Sequence, residues 1–538
     1  MAKKTNLTPS VKNNIVNRFL SPVKEFKLKH FLLLAIILLS ALLRLNKSQE
    51  LFFWHVDEDI IALTVKRILI DDRPQLIGFP VPGGIYLGPL IYYLLAVFYA
   101  FSQMNPSALP YFSAILSTIT VILIYFVGKT IFKNKYIGLI AAFIYGFSFL
   151  VNAYSRIFSG LSIVGILSLL SYFLLFKLIK NKRGNYFFYL LLLITVAVQN
   201  EGSSFSILLL SAIAWFIYRF RVDKKQLKIG LLILLLSHIP LLIFNLRHNF
   251  VTITALINFL SKASIESVGN QNTAFAFFDV LNLFPKTLAR IFYVSGPNNI
   301  AGQILPCSDL IAERTQQNLL IYLIALIFIG VFLITYIFKK NKPTGESIIF
   351  LHFLVMVFGL LIYNVFMKGY LYEWVTLIFF PGFSLIAASI IYKTFRMGIL
   401  PKLLVLILLA VFAYTNAKLA LTSNNSFGFK AKKEAVKVAV SEIGSENFML
   451  DSIGSCFAHG YYYLFWYYHK EPVASYADEW FGEGIIKPKT DKKASIKVVM
   501  TNPSKEESDD FLKRYYIYKN EAYKVIKAGE IEVLFLKL

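Results

Sequence analysis

Trp54-His55-Val56-Asp57-Glu58-Asp59 sets three carboxylates in a row just after an apolar stretch. The residues that follow, Ile60, Leu63, Val65, Ile68 and Leu69, repeat at helical spacing with Lys66 and Arg67 between them, so an amphipathic helix begins at the acids. Two roles fit acids in that place. They cap the helix and meet its dipole, or one of them exchanges a proton with a bound substrate. Glu201, after Gln199 and Asn200, and Glu373, beside Tyr370, Tyr372 and Trp374, are further acids at the ends of apolar runs. Acids near membrane depth are functional suspects, with simple interfacial solvation as the alternative. Arg156, Arg247 and His248, with Lys66, Arg67 and Lys368 behind them, are the cations able to receive an anionic group. The competing reading for each is headgroup contact or snorkelling. His55 beside Trp54 reads as interfacial. No Cys/His metal spacing, phosphate loop or nucleophile elbow is present.

The elements that must position these residues are apolar. Of 538 residues, 57% are hydrophobic and 16% charged, and the mean hydropathy is +0.61. A soluble protein carries about 25% charged residues. Runs such as 31–43, 115–127 and 403–412 recur through the first 420 residues, and about 20 apolar residues cross a bilayer. This excludes a large soluble helical protein. The net charge of +24 falls in short clusters between apolar runs, which excludes a nucleic-acid-binding face and points to membrane topology. The polar, basic N-terminus followed by Arg44 and Lys47 argues against a cleaved secretory signal.

Crossings are expected near 29–46, 108–131, 136–153, 160–179, 186–200, 203–219, 229–246, 318–338, 347–366, 374–392 and 400–417. The cytoplasmic pieces then hold 25 basic residues and three acids, Glu25, Asp223 and Glu346. That asymmetry obeys the positive-inside rule. The stretch 85–101 is apolar enough for a twelfth crossing, but counting it would turn every later basic cluster outward. Gly83, Gly84, Gly88 and Pro89 at its start mark a break instead. The expected architecture is an all-α polytopic membrane protein of about eleven transmembrane helices with a small C-terminal α/β domain. A cytoplasmic tail spans 1–28, the transmembrane domain 29–420 with external loops 47–107 and 247–317, and an extracytoplasmic domain 421–538. Loop 247–317 contains an amphipathic stretch at 277–292. In the tail, 430–443 has helical periodicity, and 448–451, 473–476, 496–500 and 531–536 read as strands. The run Tyr461-Tyr462-Tyr463-Leu464-Phe465-Trp466-Tyr467-Tyr468 reads as a helix packed on that sheet, with sugar stacking or membrane contact as alternatives. Cys307 and Cys456 both fall outside, as a bridge or as free thiols.

About 25 residues beyond the acids comes Gly84-Ile85-Tyr86-Leu87-Gly88-Pro89-Leu90-Ile91-Tyr92-Tyr93. An acidic pair after the first transmembrane helix, a short amphipathic helix, then Pro-Leu-x-Tyr-Tyr resembles the GT-C fold polyprenyl-phosphate-sugar glycosyltransferases. The nearest likeness is to the protein O-mannosyltransferases and the lipid A aminoarabinose transferases. Tyr154-Ser155-Arg156 and the run from Pro240 to Phe250 extend the likeness, which covers the layout of residues 30–420. The resemblance implies an inverting glycosyltransferase. Asp57, with Glu58 beside it, would be the catalytic general base, and Arg156, Arg247 and His248 would bind the donor phosphate. Tyr86, Tyr92, Glu201 and Glu373 would line the substrate cavity. The implied partners are a polyprenyl-phosphate-sugar donor, an acceptor glycan, lipid or protein, and membrane lipids, with no nucleic acid. Relatives often carry a second acid, sometimes with a metal, after the position of Arg156. Here the stretch is Ile157-Phe158-Ser159-Gly160-Leu161-Ser162, so a divalent metal cofactor has no support from a second acidic motif. Ile60 stands where the aminoarabinose enzymes have a basic residue, and Gly88 where they have a Lys, so donor identity does not carry over.

A transporter or flippase, and a non-catalytic membrane scaffold, are the other function classes. A transporter calls for ionisable groups and broken helices at the midplane, whereas Arg44, Glu201 and Arg247 lie near helix ends. A reporter fused after Phe132 is expected to read as cytoplasmic; an external signal overturns the crossing order.

Overall fold

The computed structural model describes residues 29–81, 84–181, 185–262, 273–295, 318–367, 371–425, 427–454, 459–481, 492–503 and 509–538. Cys307, Cys456, Lys368 and Tyr370 lie outside the described residues. Each of the eleven expected crossings is helical. Seven helices are long and apolar enough to span a membrane by themselves: Pro106–Ile131, Leu161–Lys180, Lys224–Arg247, Leu319–Ile337, Thr344–Asn364, Glu373–Phe395 and Ile399–Thr422. The others are shorter. One runs over 29–45. Asn185–Val198 and Phe205–Tyr218 are linked by a 3-10 turn at Gly202–Ser204. The crossing expected at 136–153 breaks at Ser148 into Lys135–Phe147 and Phe149–Tyr154. The break is capped twice: Ser148 Oγ accepts from the Val151 amide at 3.4 Å, and Asn416 Oδ1 from the Phe149 amide at 2.8 Å.

The stretch excluded from the crossings forms the helix Leu90–Phe101. Its twelve residues reach about 18 Å, the shortest of the four shorter apolar helices among the described residues. The amphipathic stretch expected in the 247–317 loop is the helix Thr273–Phe292. It packs into the bundle through Val280, Leu283, Phe284, Leu288 and Ile291, all buried, and Asn416 Nδ2 donates to its Phe292 carbonyl at 2.8 Å.

A two-stranded hairpin, β1 (Pro80–Val81) and β2 (Ile85–Tyr86), sits between the acidic helix and Leu90–Phe101. The C-terminal region carries a five-stranded sheet of β3 (Phe448–Ser452), β4 (Ala474–Ser475), β5 (Ile496–Thr501), β6 (Lys524–Ala528) and β7 (Ile531–Lys537), in the order β4-β3-β5-β7-β6. β3 runs parallel to β4 and β5, and β7 antiparallel to β5 and β6. Helix Phe429–Ile443 covers one face over β6 and β7, with Ala435, Val436 and Ala439 in one buried cluster with Val533 and Phe535. Helix Asp509–Glu521 covers the other through Phe511 and Tyr515 against Val499 and Leu534. Both faces are therefore covered, so consecutive residues Val498–Met500 are all buried.

Arg44 locks the bundle near this region. It is 1% exposed. Its Nε donates to Ser117 Oγ at 2.6 Å and its Nη1 to the carbonyls of Ser40 at 3.1 Å and Gly146 at 2.9 Å. Three helices are thus tied by one guanidinium, and hydrogen bonds to charged groups contribute about 1.5–3 kcal/mol each. Arg44→Met is expected to destabilise the protein by on the order of 3 kcal/mol, read as a lowered Tm in detergent; an unchanged Tm rules out the clamp.

Candidate active site

The acidic run sits where the first helix hands over to the chain of the first loop. Lys47 turns the chain with a left-handed φ of 48°, and Leu51, Phe52, Phe53 and Trp54 are then all buried. His55 is the N-cap of helix Val56–Leu69. In the neutral ring the Asp57 amide donates to His55 Nδ1 at 3.3 Å, and the His55 amide donates to Glu58 Oε2 at 3.2 Å. This is a capping box with histidine in the usual Ser/Thr position. The same Nδ1 lies against the Glu58 carboxylate, so a protonated ring pairs with Glu58 there in place of accepting the amide. Burial pushes the His55 imidazolium down, but Glu58 and then Asp57 more than offset it, so its pKa is raised.

The three carboxylates have three different environments. Glu58, 1% exposed, is held by the capping box. Asp59, 2% exposed, accepts from the amides of Tyr462 at 3.2 Å and Tyr463 at 2.9 Å and from the Tyr476 hydroxyl at 3.4 Å. It therefore caps helix Tyr462–Tyr467 of the C-terminal region. Burial drives its pKa up to about 7 in spite of those bonds. Asp57 is half-buried, and among the described residues its carboxylate accepts no hydrogen bond. Burial raises its pKa; His55 opposes the rise and Glu58 adds to it.

Tyr92 and Glu201 are both within electrostatic reach of Asp57. Tyr92 is buried, with the Thr64 side chain near its hydroxyl. Glu201 is half-buried and caps the turn at Gly202 through a 3.0 Å bond. Burial raises its pKa to about 7, with Asp57 contributing to the rise. Gln199 fastens this corner: its Oε1 accepts from the Leu90 amide at 3.4 Å, and its Nε2 donates to Ser237 Oγ at 2.8 Å. Gly88 packs so closely that a Cβ there would lie 2.1 Å from Gln199 Oε1. Asn200 Nδ2 donates to the Gly160 carbonyl at 3.0 Å, bringing the loop after Arg156 alongside.

The other expected site residues are dispersed. Tyr86 packs edge-on against Phe244 at 5.4 Å, and Phe244 stacks on His248 at 4.2 Å. Arg247 and His248 are exposed at the end of helix Lys224–Arg247. Arg156 is 4% exposed. Its Nη2 donates to the Leu43 carbonyl at 3.0 Å, while Nε and Nη1 are buried with no hydrogen-bond partner among the described residues. Burial, then Arg44, lowers its pKa to about 9. Glu373 faces the bundle: its Oε1 accepts from Arg290 Nε at 2.7 Å and its Oε2 from the Tyr154 hydroxyl at 3.1 Å. Nearby, Ser113, Ser117, Thr120, Tyr145, Tyr154 and Ser155 help line a cavity of about 30 Å³, room for water and not for a sugar. No group of three or more His, Cys, Asp or Glu among the described residues is arranged to hold a metal ion.

Lys432 is a site residue that the sequence reading missed. It is fully buried, and its Nζ donates to the Trp54 carbonyl at 2.6 Å and to the His459 carbonyl. Burial lowers its pKa to about 7, opposed by Asp59 and Glu58. A signal was present: Phe429, Lys432, Val436, Ala439 and Ile443 fall on one helix face, and a lysine on an apolar stripe needs buried partners.

Residues 86–244 match the family model described as dolichyl-phosphate-mannose-protein mannosyltransferase. No curated protein sequence matches the chain. Among solved structures, the chain is similar to ArnT from Cupriavidus metallidurans bound to undecaprenyl phosphate. The TM-score is 0.58 at 10% identity, over 94% of this chain and 97% of that one. The archaeal oligosaccharyltransferase AglB from Archaeoglobus fulgidus, in complex with an inhibitory peptide and a dolichol-phosphate, aligns with a TM-score of 0.48 at 14% identity. That alignment covers 88% of this chain and 70% of AglB. The chain is a multi-pass membrane protein with the GT-C fold of polyprenyl-phosphate-sugar glycosyltransferases, and the family match and fold together support a glycosyltransferase of that type.

Proposed function

We propose that this protein moves a sugar from a polyprenyl-phosphate donor to an acceptor on the extracytoplasmic side of the membrane, with inversion at the anomeric carbon and Asp57 as general base. The observation that carries the base assignment is the division of labour in the acidic run. Glu58 caps its own helix, Asp59 caps a helix of the C-terminal region, and the Asp57 carboxylate alone is left without a hydrogen bond among the described residues. Burial keeps its pKa above the ordinary range, which strengthens it as a base. In the reaction Asp57 takes the proton of an acceptor hydroxyl. The freed oxygen attacks the anomeric carbon, the bond from that carbon to the phosphate oxygen breaks, and polyprenyl phosphate leaves with the bonding pair. Glu58 acts through His55, holding the turn that aims Asp57.

Charge on the leaving phosphate needs cations. Arg247 and His248 are exposed beside the hairpin. Arg156 is a buried guanidinium with two unpartnered nitrogens and no carboxylate among the groups that shift it, a state that an anionic ligand relieves. We assign these three to the donor phosphate, and Tyr86, Tyr92 and Glu201 to the walls of the substrate cavity. Glu373, already bonded to Arg290 and Tyr154, is reassigned to holding the bundle. The ArnT structure of the same fold is bound to undecaprenyl phosphate, which supports a lipid phosphate as carrier. The sidedness rests on charge. The basic connections at 129–135, 219–228 and 339–342 belong to the end of the bundle opposite the acidic run, and basic connections stay in the cytoplasm.

Asp57→Asn is expected to lower kcat by about 100-fold or more, with membrane insertion intact, in turnover of undecaprenyl-phosphate-linked mannose. Wild-type kcat/KM is expected to fall as pH drops through the raised Asp57 pKa, placing the acid limb above the usual Asp value of about 4. Full activity of Asp57→Asn removes the base assignment.

A further inference from the structure

The C-terminal region grips the acidic run at five successive points. Lys430 pairs with Glu50 at 2.9 Å. The Phe429 amide donates to the Phe52 carbonyl at 2.9 Å, and the Phe429 ring packs against Phe52 and Trp54. Lys432 Nζ holds the Trp54 carbonyl. Gly460, at a left-handed φ of 101°, lies so close that a Cβ would be 2.7 Å from the His55 carbonyl oxygen. The amides of Tyr462 and Tyr463 hold Asp59. Every residue from 50 to 59 that is gripped flanks Asp57, and none of these contacts uses the Asp57 carboxylate.

Lys432 is the centre of this grip. A buried ammonium persists only when its protons are taken up and opposite charge is near. Among the described residues its bonds reach carbonyls on different segments, Trp54 before the N-cap and His459 before Gly460. Asp59 and Glu58 supply the opposite charge. The ammonium therefore fixes the spacing between the 54–59 turn and the 459–463 segment. Nothing in a freely tethered module requires such a group.

We propose that the C-terminal region is part of the active-site frame, and that Lys432 is a positioning residue that fixes the turn from Trp54 to Asp57 and so sets the aim of the Asp57 carboxylate. The catalytic consequence rests on the reading of Asp57 as base; the geometric claim does not. A misplacement near 1 Å is enough to cost about 100-fold in rate.

The test compares full-length wild type, Lys432→Met, Gly460→Ala and Asp57→Asn in nanodiscs. Turnover is measured with undecaprenyl-phosphate-linked mannose and washed membranes of the producing cells as acceptor source. The same samples are treated with a hydrophobic carbodiimide, and the rate of Asp57 labelling is read by peptide mass spectrometry. Lys432→Met is expected to lower kcat about tenfold or more while the donor KM stays within about twofold, and to change the Asp57 labelling rate. Gly460→Ala removes no contact and adds one methyl against His55; it is expected to give the same split, and it carries the test if Lys432→Met fails to accumulate. Unchanged kcat and labelling in the variants overturn the proposal. So does a loss of activity that only follows a loss of folded protein, with labelling of the folded fraction unaltered. If Asp57→Asn retains full turnover, the base reading falls, while altered labelling in Lys432→Met still upholds the positioning.

Discussion

A buried carboxylate between two helix ends organises this end of the molecule. Asp59 belongs to the first turn of one helix and caps another that lies some 400 residues on in sequence. Burying a charge is costly unless its lone pairs are all met. The Tyr462 and Tyr463 amides, the Tyr476 hydroxyl and the nearby Lys432 ammonium meet them in one relative placement of the two segments. The tyrosines then fill the space around the joint. Tyr463 packs against Trp54 and Tyr99 and donates its hydroxyl to the Met104 carbonyl at 2.7 Å. The loop that carries Asp57 is thereby held as firmly as a core.

The same constraint sorts three neighbouring acids into three roles. Environment, not residue type, separates paired carboxylates in acid–base chemistry. Glu58 gains by pointing back to its own N-cap, and Asp59 by pointing to the C-terminal region. Successive residues on a helix point about 100° apart, so Asp57 cannot join either. Glu201, held half-buried with a pKa near 7, adds a second titrating group in reach of the first.

Much of the framework was legible from sequence, because hydropathy and charge act over long windows. Apolar length located the helices, and charge asymmetry removed 85–101 from the crossings; that segment is a helix of 12 residues. Alternation located β3, β5 and β7. It missed β6, an edge strand whose residues are largely exposed and so lack a buried face to write into the pattern. The site was legible in part. The acidic run stood out, and capping is what Glu58 and Asp59 do; only contacts with residues 429–463 reveal that Asp59 caps a second helix and that Asp57 is left over for the proposed chemistry. The tyrosine run forms a helix that packs on the sheet through Phe465 against Phe448, and equally on the acidic helix. Glu373 looked like an interfacial acid because its partner, Arg290, lies in a helix read as external loop.

The dispersal of the cations is itself informative about the chemistry. Asp57 has Tyr92 and Glu201 in reach, whereas Arg247 and His248 lie beside Tyr86 and Phe244, with no contact joining them to Asp57 among the described residues. In an inverting displacement the base and the leaving group act on opposite faces of the sugar ring. A cation paired with the base would lower its pKa and weaken it. In the proposed reaction a cation set apart, near the hairpin, would stabilise the departing phosphate without that penalty. His55 is the exception, a titratable ring against both Glu58 and Asp57. It lowers the Asp57 pKa, but burial, with Glu58 adding to it, still leaves Asp57 raised. The capping box thus fixes the backbone that carries Asp57, and burial of that turn keeps the carboxylate raised despite the ring beside it.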